Sequence, residues 1–349
     1  MKKLFLFAVA LVGTMLAHAQ DSDTRSATLQ SGETTTVFSG ADAFKNALAA
    51  AEDGSIITLS SGTFNAPGDF TKSVKVYGSG FQEDEETGVK CTKVLSGINI
   101  KRDENDKYHN NPCFEGVWFT GGVYIEKIEG ETLTGLQVVK CRTGGFDFYG
   151  NTNSTLLLQS YIEGGLNGRS SSALNLLVQN CIVTNHVNSF GGESDVLVDH
   201  CMLTRNNSGA YDQYHGPYRF KSTLIDCYFP NGATAEYCVG AKWYVTGAGT
   251  LKGGYYLSDD IESWATFFKD GQDNLSYTIK DTGAPRTWEL AEPEKFVGED
   301  GTPVGVTGGE YPWNPIPSTP RIVSSNIDSK SVAGKLKVNI KAEARPANK

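Results

Sequence analysis

Apolar residues recur through the middle of this chain in one frame: apolar, any, apolar, two turn residues, apolar, any, apolar. Leu136, Val138, Cys141 and Thr143 make one instance, and Leu156, Leu158, Tyr161 and Glu163 the next. Leu176, Val178, Cys181 and Val183 follow, then Val196, Val198, Cys201 and Leu203, then Ser222, Leu224, Cys227 and Phe229. Upstream, Phe114, Val117 and Phe119 fit with Pro112 in the first place. The third positions are then 117, 141, 161, 181, 201 and 227, with three successive spacings of 20. Alternation with period 2 predicts short strands, and a fixed repeat of this length predicts a solenoid.

The two-residue interruption predicts a corner. Just before the third position stand Gly116, Lys140, Ser160, Asn180, His200 and Asp226. Gly, Asn, Asp and His tolerate the left-handed backbone that a sharp corner needs; Lys140 and Ser160 do not fit that demand. Each coil would lay its strands beside those of the coil before, about 4.8 Å away. The expected fold class is therefore all-β, a parallel β-helix. A leucine-rich repeat is excluded because its Leu and Asn positions do not recur.

The ends read differently. Residues 41–52 (ADAFKNALAAAE) predict an amphipathic helix, with Phe44, Ala47, Leu48 and Ala51 on one face, suited to capping the first coil. Residues 101–112 are a polar excursion between coils. Past about residue 240 the repeat fades, and residues 292–320, with six prolines, predict a loop or wrapping segment. Leu336, Val338 and Ile340 predict a terminal strand. Lys2 and Lys3, the apolar run Leu4 to Val12 and Ala17-His18-Ala19 read as a signal peptide cleaved near Ala19, placing the protein outside the cytoplasm, secreted, periplasmic or on the cell surface. The organisation expected is 1–19 signal peptide, 20–34 flexible N-terminus, 35–240 solenoid with its cap, and 241–349 terminal coils, Pro/Gly-rich segment and C-terminal strand.

Composition agrees with this reading. Of 349 residues 39 are Gly and only 20% are charged, a poor basis for a helix bundle. The net charge of −9 argues against a nucleic-acid partner, and no stretch predicts a membrane span. Four of the seven cysteines, Cys141, Cys181, Cys201 and Cys227, share the third position and predict a buried ladder of thiols. Cys91, Cys113 and Cys238 stand outside it and leave one disulfide open.

The run AFKNALAAAEDGSIITLSSGTF, then VKVYGSG, then the 20-residue coils with Cys at the third position, resembles the pectin-lyase-like superfamily of single-stranded right-handed β-helices. The likeness covers about residues 35–235 and implies a right-handed coil. That superfamily holds lyases, hydrolases, esterases, adhesins and tailspikes, so it does not imply one activity. Residues 298–315 (GEDGTPVGVTGGEYPWNP) are similar to a segment of secreted bacterial β-helix proteins of unassigned activity.

Asp195-Val-Leu-Val-Asp199-His200-Cys201 is similar to a coil near the calcium site of pectate lyases. The resemblance implies Asp195 and Asp199 as Ca2+ ligands, with Arg219 and Lys221 as the basic groups that remove or acidify a sugar C5 proton. The Arg-x-Pro-x-x-Arg spacing of that family is absent, and no second acidic pair precedes the first. The competing reading makes Asp199 and His200 plain corner residues. The aspartate pairs of polygalacturonases and the residue set of pectin methylesterases are not found. Aromatic residues give the other signal: Trp118, expected to face outward, and Tyr211, Tyr214, His215 and Tyr218 in a long excursion between coils would stack on sugar rings. The first expectation is thus a non-catalytic protein that binds an extracellular polysaccharide or glycan along its flank. The alternatives are a calcium-dependent polysaccharide lyase and a structural surface protein.

Overall fold

A computed structural model describes residues 25–84, 87–185, 187–204, 218–225, 233–240, 250–256, 263–272, 287–318, 320–327 and 338–343. Short alternating stretches form strands of two to four residues that pair in parallel with their counterparts one coil away. The repeat thereby builds a β-solenoid. Its first sheet has twelve strands, its second ten, its third five, and a short fourth has three. In the first sheet Cys113–Glu115, Gln137–Val139, Leu156–Leu158, Leu176–Gln179, Val196–Asp199, Tyr218–Lys221 and Thr234–Glu236 lie side by side. The second carries Trp118–Phe119, Arg142–Thr143, Tyr161–Ile162, Ile182–Val183, Met202–Leu203, Leu224–Ile225 and Val239–Gly240. The third runs through Ile98–Ile100, Val123–Ile125, Phe146–Phe148, Leu166–Asn167 and Val187–Asn188.

Inward residues form one continuous core. Phe114, Val138, Leu157, Val178, Val198 and Phe220 stack along the first sheet, and Phe119, Ile162, Val183, Leu203 and Ile225 along the second. Phe70, Phe114 and Phe119 meet edge to face, with ring centroids 5.0 and 5.8 Å apart, the geometry that aromatic quadrupoles favour.

The pairing corrects the repeat at two coils. Leu157, not Leu156 and Leu158, points inward opposite Val138 and Val178, so Ser160 rather than Tyr161 takes the third position. Three consecutive leucines offered two registers one residue apart, and a one-residue slip exchanges the faces. Leu224 pairs with Met202, which makes Phe220, Thr223 and Ile225 the inward residues of that coil. Cys227 and Asp226 lie outside the described residues. Cys238 follows the corner residue Tyr237 and joins the ladder instead. Cys113 and Cys238 keep free thiols, so no disulfide links them to each other or to Cys91.

The third position is also polar in a way the sequence reading missed. The Cys141 N–H donates to Ser160 Oγ (3.1 Å), Ser160 N–H to Cys181 Sγ (3.4 Å), Cys181 N–H to Cys201 Sγ (3.4 Å), and Cys201 N–H to Thr223 Oγ1 (3.2 Å). Turning the corner takes that N–H out of the coil-to-coil ladder, and a buried donor needs a partner. Sulfur or hydroxyl on the next coil supplies it.

The corner between the second and third sheets is lined by Gly97, Gly121, Gly122, Gly144, Gly145 and Gly164, stacked coil upon coil. A Cβ on Gly122 would lie 2.6 Å from the carbonyl oxygen of Gly145, so no side chain fits. At the N-terminal end an antiparallel hairpin, Ser26–Ser31 with Thr34–Ser39, pairs with Ile56–Leu59. Beside it the helix Ala43–Ala50 buries Ala43, Phe44, Ala47 and Leu48.

The C-terminal part covers the outside of the second sheet. Tyr161, Ile182, Met202, Leu224 and Val239 face outward from that sheet into a second apolar cluster. They meet the helix Trp264–Phe267 and the residues Phe268, Trp288, Leu290, Phe296, Val304 and Val306. After this strap come two strands rather than the one expected, Arg321–Ile327 and Val338–Glu343, paired antiparallel with a register shift at Ile322/Ser324. Among the described residues no helix is long and apolar enough to cross a membrane.

Candidate functional site

The four residues of the lyase expectation lie on the outer face of two neighbouring strands, and each is engaged within the chain. Arg219 Nη2 donates to Asp195 Oδ1 at 2.8 Å. Lys221 Nζ sits 2.6 Å from Glu299, and that hydrogen bond holds its amine above the ordinary value. A lysine serving as a base near neutral pH needs the opposite shift. Asp199 contacts the His200 ring at 2.9 Å and accepts from Gln179 Nε2 at 3.3 Å. Asp195, just before the strand Val196–Asp199, and Asp199, at its end, are thus each held by a partner of their own rather than facing one shared point. Among the described residues no group of three or more His, Cys, Asp or Glu is placed to hold a metal ion. These residues do not fit calcium.

His200 belongs to a ladder of corner residues that grips the strap. Gly116, Lys140, Gln159, Asn180, His200 and Ser222 all have left-handed backbone, with φ between 46° and 69°. Lys140, expected not to fit, adopts it, and Gln159 replaces Ser160 at that corner. Every one of these residues sends its N–H to the next coil, as in Asn180 N to Asp199 O at 3.1 Å. The side chains of Lys140, Gln159, Asn180 and His200 then reach the strap. Lys140 Nζ donates to Ile316 O, Gln159 Nε2 to the carbonyls of Tyr311 and Pro312, and Asn180 Nδ2 to Val306 O (3.0 Å) and Gly308 O (2.8 Å). Ser222 accepts Gly305 N–H on its carbonyl, and Glu115 accepts both the N–H and hydroxyl of Ser318.

Asp199, His200 and Thr302 form a row like a nucleophile with its base: His200 Nε2 lies 3.1 Å from Thr302 Oγ1. The hydroxyl is already claimed by Asp300, at 2.9 and 3.0 Å, and by Gly309 N–H at 2.7 Å. Burial raises the Asp300 pKa, but the Thr302 hydrogen bonds and the His200 ring outweigh it and leave the carboxyl below its usual value. With the His200 side chain only 4% exposed, this row is a latch between coil and strap.

The aromatic expectations divide. Trp118 does point out of its coil, yet it is only 8% exposed. Lys93 Nζ lies 3.8 Å and Arg142 Cζ 3.9 Å from its ring centroid, so both cations crowd the indole. Tyr218 begins a strand and points into the core, where its hydroxyl accepts the Phe190 N–H at 3.1 Å. Neither ring lies open on the surface. Tyr211, Tyr214 and His215 lie outside the described residues.

The third sheet carries the open aromatic surface. Its outward row is Asn99, Tyr124, Asp147 and Asn167, joined by strand register, and Asn188, next in that register, is buried. Tyr124 is 45% exposed and Tyr149, one coil on, is 46% exposed. Arg169 Nε donates to Asp147 Oδ1 at 2.6 Å while its guanidinium carbon lies 5.4 Å from the Tyr149 ring centroid. That hydrogen bond raises the Arg169 pKa further. Arg169 N–H also donates to Asn167 Oδ1 at 3.1 Å. Two rings and a fixed donor–acceptor pair thus share one face. The sequence signal was present in Val123-Tyr124-Ile125 and Phe146-Asp147-Phe148-Tyr149, where apolar residues alternate with outward ones. The repeat frame stopped after the second sheet and passed over it. No protein-family model matches the chain, and no curated protein or solved structure is significantly similar to it.

Proposed function

We propose that this chain is an exported, non-catalytic β-solenoid of the pectin-lyase-like kind that binds carbohydrate on the flank formed by its third sheet. The observation that carries the reading is the pair of exposed rings, Tyr124 and Tyr149, beside the Asp147–Arg169 pair and Asn167. Aromatic faces stack on the C–H faces of sugars while fixed polar groups orient the hydroxyls. The internal engagement of Asp195, Asp199, Arg219 and Lys221 supports a binding rather than a catalytic role.

Calorimetric titration of the mature protein with polysaccharides tests this reading. Binding lost in Tyr124→Ala and Tyr149→Ala is expected, with no unsaturated product from polyuronates in the presence or absence of calcium. Calcium-dependent release of unsaturated product would overturn the non-catalytic reading.

A further inference from the structure

We infer that the Tyr124–Tyr149 face selects an uncharged, linear glycan; this rests on the carbohydrate-binding reading and names its ligand class. The charges of the face are already matched. Arg169 is paired with Asp147 at 2.6 Å, and Lys101 with Asp69 at 2.9 Å. Arg102 Nε lies 3.4 Å from Glu126, and its N–H donates to the same carboxylate at 3.1 Å. An acidic sugar needs a cation of its own, and taking Arg169 would leave the Asp147 carboxylate beside the incoming charge. The chain's net charge of −9 adds long-range repulsion of a polyanion. A neutral hydroxyl both donates and accepts, and so meets a paired carboxylate and guanidinium without separating them.

The spacing suits an oligomer rather than a single sugar. Tyr124 is opposite Asp147 on the neighbouring strand, and Tyr149 follows Phe148, the last residue of that strand. In extended geometry the two tyrosines are offset by about 6.6 Å along the strand and about 4.8 Å across it, which is more than one sugar residue. A linear glycan lying obliquely across the two coils then offers one ring to each tyrosine.

The test titrates the mature full-length chain with neutral β-1,4-linked gluco-, manno- and xylo-oligosaccharides of increasing length, with polygalacturonate and alginate as the acidic arm. At least one neutral series is expected to bind, tightening from monosaccharide to short oligomer and then levelling off. EDTA is expected to leave it unchanged, as is raising the salt from about 0.15 M to about 1 M. Tyr124→Ala and Tyr149→Ala should each weaken it by about tenfold with an unchanged melting temperature, and Tyr124→Phe should keep it. Binding of polyuronates alone, or affinity collapsing with salt, overturns the neutral class and leaves the carbohydrate reading standing. Neutral binding indifferent to both tyrosines overturns the site. Absence of binding in both arms overturns the inference together with the reading beneath it.

Discussion

Asn180 offers the sharpest test of how the strap is held. Its Nδ2 donates to two buried strap carbonyls, Val306 O and Gly308 O, and the residue itself is fully buried at a left-handed corner with φ 49°. Asn180→Ala removes both donated hydrogen bonds; Val306 O keeps the Trp313 N–H, while Gly308 O is left without a partner, at about 1–3 kcal/mol. Alanine also lacks the local polar contacts by which Asn tolerates left-handed backbone, adding about 1 kcal/mol and bringing the total to about 2–4 kcal/mol. Asn180→Gly lacks that second cost, so the two variants should differ by about 1 kcal/mol.

Urea unfolding reads the sum, and amide exchange locates it. The protected amides of Gly305, bonded to Ser222 O, and Trp313, bonded to Val306 O, should exchange about 30- to 1,000-fold faster in Asn180→Ala. The amide of Lys140, bonded to Leu158 O within the coils, should change far less. Unchanged exchange at Gly305 and Trp313 would refute the claim that the corner side chains hold the strap. Equal stability of the Ala and Gly variants would refute the backbone part of the argument.

Four further outcomes are expected. Cys201→Ser should stay within about 1 kcal/mol of wild type, since Ser160 already fills the same place one coil-pair away, whereas Cys201→Val should lose about 1–3 kcal/mol in urea by orphaning the Cys181 N–H. Burial pushes the Cys238 thiol up to about 12 and the Cys141 and Cys201 thiols well above normal, so all three should resist thiol reagents in the native state at pH 8 and react once unfolded. Gly122→Ala should lower stability by about 1–3 kcal/mol, because its Cβ would meet the Gly145 carbonyl. Gly192→Ala, where nothing lies within 4 Å, serves as the control in the same thermal melt. His109, whose ring bridges Asp53 at 2.5 Å and Asp103 at 3.0 Å, ties the turn after the capping helix to the polar excursion. Its pKa is raised, chiefly by the Asp103 hydrogen bond. The stabilisation is therefore complete below the unfolded value of about 6.5 and is lost as pH rises through the folded one. Melting temperature should fall with rising pH above that point in wild type relative to His109→Asn, and parallel curves would sink the assignment.

How far the chain could be read depended on whether a signal was local. The capping helix at Ala43–Ala50 follows from one apolar stripe within a dozen residues, and the coils follow from alternation and a recurrent corner. Register was legible at Val178 and Val198, each flanked by polar or larger outward residues. It was lost at Leu156-Leu157-Leu158, where three equal side chains carry no choice of face, and only pairing with Val138 and Val178 settles it. Trp118 shows the other failure. Its outward direction was correct, but whether an outward face meets solvent depends on what else folds onto it.

The sequence by itself determined a β-solenoid, its helical cap and the line of corners, because each is written in neighbours a few residues apart and repeated. Tertiary structure alone decided that the second sheet is covered by the helix Trp264–Phe267, Phe268 and residues between 288 and 313, that Arg219 and Lys221 are taken up by Asp195 and Glu299, and that the open aromatic face belongs to the third sheet. The contacts responsible join residues such as Lys140 and Ile316, 176 positions apart. No local pattern encodes a pairing of that separation; it exists only once every coil between them has set its height along the axis.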